Sequence, residues 1–164
     1  MILKYWKSVD NLKLIGILLI NAASVVTGLA YLYKIKEKCL ISSELISMAD
    51  LMSAELSFSA DSTKRIVARL ASEPSLSHLT FLRELDFENI NISTPLNASD
   101  NEMINLLFKE LGKSDVFSTI ALIGSFREGM QISNKKYEEY YASHYKLCIA
   151  FGVLGGLAVS VILV

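Results

Sequence analysis

Two prolines, two histidines, two cysteines and one tryptophan are all this chain of 164 residues holds of those four types. Each scarcity excludes something. With Pro74 and Pro95 the only prolines, the stretches on either side of them are free to form long uninterrupted helices. His78 and His144 are the only near-neutral bases, and neither has Cys, Asp or Glu beside it at metal-ligand spacing. Cys39 and Cys148 form neither a disulfide framework nor a CxxC motif, so a redox or metal role is not expected of them. There is no Gly-rich phosphate loop, no nucleophile elbow and no internal repeat. No catalytic residue and no cofactor is therefore expected, and the chain reads as a non-enzyme.

Charge is also missing from two long runs. Residues 14–33 contain no Asp, Glu, Lys or Arg, and neither do residues 147–164. A helix rises 1.5 Å per residue, so roughly 20 apolar residues cross a hydrocarbon core of about 30 Å. The composition agrees, at 52% hydrophobic with a mean hydropathy of +0.39. The expected layout is a short tail at 1–13, a transmembrane helix at 14–33, a soluble domain at 34–146 and a second transmembrane helix at 147–164. A cleaved leader is the rival reading of the first run, since Lys4, Lys7 and Lys13 precede it and Ala22, Ala23 and Ser24 are small. The run continues to Tyr33, however, which is anchor length.

Small residues recur one turn apart in both runs: Ser24 and Gly28 in the first, Gly152 and Gly156 in the second. Such faces let helix backbones approach closely, and Asn21 adds an amide for an interhelical hydrogen bond. Membrane packing is the role expected of these five residues. Tyr31, Tyr33 and Tyr145 fall where interfacial aromatics anchor a span in lipid. Three lysines precede the first run, whereas Lys34, Lys36, Lys38, Lys135, Lys136 and Lys146 flank the domain, which favours a cytoplasmic domain. Two Asn-x-Ser sequons, at Asn91 and Asn97, matter only in a eukaryotic secretory lumen.

The domain carries 13 basic against 16 acidic residues, a formal charge of −3 with no basic stripe, so nucleic acid is not an expected partner. Its apolar residues take helical spacing. Ile41, Leu45, Met48, Met52 and Leu56 define a helix continuing from the first run. A turn at 58–61, with Asp61 or Ser62 as cap, opens a second helix through Ile66, Val67 and Leu70, ended by Glu73-Pro74. Leu76, Leu79, Leu82 and Leu85 predict a third helix over 75–86. After an Asn-rich loop at 89–97, Ser99 and Glu102 stand at capping-box spacing before Ile104, Leu107 and Leu111, with Gly112 as the stop. A last helix, capped by Ser114, runs from about Asp115 into the second apolar run. The sum is an all-α domain of roughly five helices in an antiparallel bundle.

Within it Glu55 stands out, because the apolar stripe extended by three lands on this carboxylate. Either it lies at the solvated edge of the helix, or it is partly buried and paired with Arg65 or Arg69.

The order and spacing of Leu14-Ile15-Gly16, Ala23-Ser24 and Gly28, of Glu55-Leu56-Ser57-Phe58, of Leu111-Gly112-Lys113-Ser114-Asp115 and of Gly152-Val153-Leu154-Gly155-Gly156-Leu157 resembles the stage III sporulation protein AB family of endospore-forming bacteria. The chain departs from that pattern at Ser62-Thr63, where Pro-Leu is usual, and in lacking a Trp in mid-domain. The resemblance implies a mother-cell membrane component of the channel complex facing the forespore. It also implies a domain similar to the cytoplasmic domains of type II secretion platforms, docking the cytosolic secretion-type ATPase of the same operon beside other membrane subunits of the complex. Glu55, Phe58 and Asp115 are the positions expected to have a structural or docking role. Two rivals stand beside this scaffold reading: a general secretion or pilus platform protein, which usually carries a repeated domain, and a two-helix membrane sensor, which needs an apolar pocket with convergent polar groups.

Overall fold

The computed structural model describes residues 2–58, 63–111, 113 and 115–163, without the side chains of residues 2–15, 17, 18, 20, 21, 24, 149 and 151–163. Four α-helices make up the described chain: α1 (Ile2–Phe58), α2 (Thr63–Leu70), α3 (Ala98–Glu110) and α4 (Val116–Leu163), with 3-10 turns at Pro74–Leu76 and Thr80–Arg83. No strand occurs among the described residues. The protein is all-helical, as its periodicity implies. It divides into two compact units, one of residues 1–35 with 140–164 and one of residues 36–139.

In the first unit Leu32 and Ile35 are buried, and a Cβ placed on Gly28 would stand 3.7 Å from Cys148 Sγ, an ordinary contact. The hydroxyls of Tyr31 and Tyr140 share a hydrogen bond of 2.7 Å, and the His144 ring lies 3.8 Å from the Tyr140 ring, centroid to centroid. Among the described residues no helix is long and apolar enough to cross a membrane. The apolar runs 14–33 and 147–164 include the positions whose side chains are not described. Asn21, Ser24, Gly152 and Gly156, expected to pack in the membrane, have side chains outside the described residues.

The second unit is built on the stripe read from the sequence. Ile41, Leu45, Met48, Ala49 and Met52 are buried on one face of α1, and Leu56 packs half-buried against the same core. Ile66, Val67 and Leu70 seal it from α2. Glu73, ahead of Pro74, takes φ −75° and ψ 121°, the extended geometry that proline imposes on its predecessor. The caps expected of Asp61 and Ser62 lie outside the described residues, as do Gly112 and the cap expected of Ser114.

The helix predicted over 75–86 is not formed. In its place stand the two 3-10 turns, joined by hydrogen bonds three residues apart such as Leu79 N–H to Leu76 C=O and Leu82 N–H to Leu79 C=O. Leu76, Leu79 and Leu82 are buried as the stripe required. Their uniform spacing of three is the 3-10 repeat, in which positions three apart eclipse, whereas an α-helix would rotate such a stripe off its face.

The capping box is also corrected. Ser99 lies inside α3, whose cap is Asn97 in extended geometry, φ −69° and ψ 161°. What organises this region is a pair of asparagines one turn apart. Asn105 Oδ1 accepts the Ile92 N–H and its Nδ2 donates to the Ile92 carbonyl, at 2.8 and 2.7 Å. Asn101 accepts the Thr94 N–H and donates to the carbonyls of Thr94, Leu96 and Asn97. The two amides satisfy backbone groups that the irregular loop leaves without helix or strand partners, so Ile92 and Leu96 are buried without a polar penalty.

A candidate docking surface

Two cross-helix contacts fix the pairing of α1 with α4 in the second unit. Ser42 Oγ donates to Asn134 Oδ1 at 2.7 Å, and Arg127 Nε donates to Asp50 Oδ1 at 2.5 Å. Advancing along α1 while retreating along α4 means that the helices run antiparallel. A further eight residues from Asp50 along α1 reaches Phe58, level with about residue 119 of α4 at equal rise per residue. The end of α1 and the start of α4 therefore meet at one tip of the unit.

That tip is apolar where water should meet polar groups. Phe58 is 92% exposed and Phe117 is 82% exposed, with Val116 exposed beside it. Phenylalanine buries 150–250 Å² when it finds a partner, so two rings left in water are a large unspent driving force.

Charged groups frame the rings. Glu55, one turn before Phe58, is half-buried and bonded to Arg69 of α2, with Oε2 2.8 Å from Nη1. Of the two readings open in the sequence, the geometry is that of the paired carboxylate, with Arg69 rather than Arg65 as the partner at this distance. Asp115 caps α4: its carboxylate accepts the Ser118 hydroxyl at 2.6 Å and the Ser118 N–H at 3.2 Å. Those two hydrogen bonds hold the Asp115 carboxyl below its ordinary range, the hydroxyl contributing most. Glu55, Phe58 and Asp115, far apart in the chain, thus fall at one end of the second unit.

The centre of polarity in the core was missed from the sequence. Asp100 is buried, accepts the Ser133 hydroxyl at 2.7 Å and accepts the Tyr137 hydroxyl, which itself accepts the Asn97 N–H at 3.0 Å. Burial, then the bond to Asp100, pushes the Tyr137 phenol well above its ordinary range. The only signal was Tyr137 four residues after Ser133, a spacing that places both on one face of α4.

Both histidines have partners in the fold. Glu44 of α1 accepts the His78 N–H at 2.8 Å and meets His78 Nδ1 at 2.5 Å, clasping the 3-10 segment to the helix. His144 lies against Tyr140 and Ser143 of its own helix. Burial, with Glu138 second, pushes the Cys39 thiol up, so it stays protonated and weakly nucleophilic. Among the described residues no three potential ligands gather to hold a metal ion.

A hollow of about 460 Å³ lies between α2 and the second 3-10 turn, beside Lys64, Arg83 and Phe87. Both of its cations have partners in the protein. The Lys64 amine sits 5.8 Å from the Phe87 ring centre, and Arg83 Nε donates to the Ala71 carbonyl at 3.4 Å.

The described residues thus form an all-helical protein whose second unit has a buried apolar core and an apolar tip. Residues 84–164, which include α3 and α4, match the family described as stage III sporulation protein AB. The description of that family ties it to stage III of sporulation. No curated protein and no solved structure matches the chain.

Proposed function

We propose that the chain is a non-enzymatic membrane scaffold of the stage III sporulation channel complex between mother cell and forespore. The apolar runs 14–33 and 147–164 anchor it in the mother-cell membrane, with Asn21, Ser24, Gly28, Gly152 and Gly156 at helix–helix contacts. The domain 34–146, similar to the cytoplasmic domains of type II secretion platforms, faces the cytoplasm, where six flanking lysines outweigh the three of the N-terminal tail. There it docks the cytosolic secretion-type ATPase of the same operon and couples it to the other membrane subunits.

The observation that carries this reading is the tip at which Phe58 and Phe117 stand in water, framed by Glu55, Arg69 and Asp115. Exposed aromatics rimmed by charge are the composition of interface hot spots. The experiment is co-purification of the solubilised full chain with that ATPase, beside a variant lacking residues 34–146. Retention only when the domain is present is the expected result. No retention by either protein overturns ATPase docking.

A further inference from the structure

A second surface of the same unit is shaped for a different contact. Between α3 and α4 runs a groove of about 170 Å³ lined by Met103, Leu106, Leu107, Leu122, Ser125 and Phe126. Its floor is almost wholly apolar, and Leu106 is exposed on its rim. The helices approach closely at one end, where a Cβ on Gly129 would stand 3.0 Å from Met103 Sδ. Only a residue without a side chain leaves α4 this near to α3 without pushing Met103 aside.

Charge marks that end. Glu102 precedes Met103 and lies one turn before Leu106, while Glu128 precedes Gly129 and lies about one turn after Ser125. Both carboxylates are exposed, and among the described residues neither has an ion-pair partner. At the other end Lys109 is exposed, next to Glu110, which pairs with Lys113. The groove is thus negative at one end and mixed at the other. An exposed carboxylate with no ion-pair partner is open to an incoming cation.

We propose that this groove holds an amphipathic helix of a partner protein, with apolar side chains over Leu106 and Leu122 and a Lys or Arg cluster over Glu102 and Glu128. A helix laid with its apolar face along a hydrophobic groove is a recurrent mode of recognition, and the carboxylates set its direction. The inference deepens the scaffold reading by naming a second contact face, distinct from the phenylalanine tip.

The test uses the full chain in nanodiscs of zwitterionic lipid, with empty nanodiscs as the blank. The probes are two fluorescent helical peptides of about four turns sharing one leucine stripe, the first with lysines clustered at one end and the second with glutamates there. The lysine peptide should bind at least about tenfold tighter than the glutamate peptide. Glu102→Lys with Glu128→Lys should reverse that order, and Ser125→Trp, which fills the groove from an exposed position, should abolish binding of both. Equal binding by the Ser125→Trp chain, or no binding by the unaltered chain, overturns the proposal. So does a dimer of the unaltered chain that Ser125→Trp dissolves, which would assign the groove to a second copy. None of these readouts involves the ATPase, so a failure here is separable from a failure of ATPase docking.

Discussion

Tyr137 donates its phenolic hydrogen to the Asp100 carboxylate and accepts the Asn97 N–H on the same oxygen, tying the start of α3 to the middle of α4. Tyr137→Phe keeps the ring and its packing but leaves a buried carboxylate and a backbone N–H each one partner short. A loss of about 1–3 kcal/mol in unfolding free energy is expected, measured by urea titration.

The same phenol makes the protein alkali-sensitive. Its folded pKa lies above the ordinary 10.0, so its contribution is fully present below pH 10 and is lost as pH rises toward the folded value. Stability followed upward from pH 9 should decline more steeply in the unaltered chain than in Tyr137→Phe.

Asp115 gives the opposite dependence. Its carboxyl is held below the ordinary 3.8 by the Ser118 hydroxyl and N–H, so its contribution is present above that value and lost as pH falls through the folded one. Asp115→Ala should lower stability at neutral pH and flatten the acid limb, read by urea midpoints from pH 6 downward.

Leu45 is completely buried in the α1 stripe. Leu45→Ala should cost about 2–5 kcal/mol through lost burial and the cavity left behind. Phe58→Ser, in water already, should change stability by less than about 0.5 kcal/mol.

How much of this was legible in the sequence follows from the range of the interactions. The α1 stripe and the uninterrupted α4 are local patterns, and each is seen in the structure, whereas α2 ends at Leu70, four residues before the Pro74 expected to stop it. The leucines at 76, 79 and 82 were rightly assigned to the core, but the helix type was wrong because a spacing of three fits a 3-10 turn better than an α-helix. Asn101 and Asn105 were given no role from the sequence, since their partners are backbone groups that become available only when the loop folds over α3. Asp100 was hidden for a like reason, because its partners Ser133 and Tyr137 lie more than thirty residues away. The meeting of Glu55, Phe58 and Asp115 at one tip required the α1–α4 register, which Ser42–Asn134 and Asp50–Arg127 supply in the second unit.

The most direct test of the scaffold account removes the two exposed rings and nothing else. The solubilised full chain carrying Phe58→Ser and Phe117→Ser should keep its helicity and thermal midpoint, yet lose co-purification with the operon's cytosolic ATPase. Undiminished retention of the ATPase by this double variant would contradict docking through the tip.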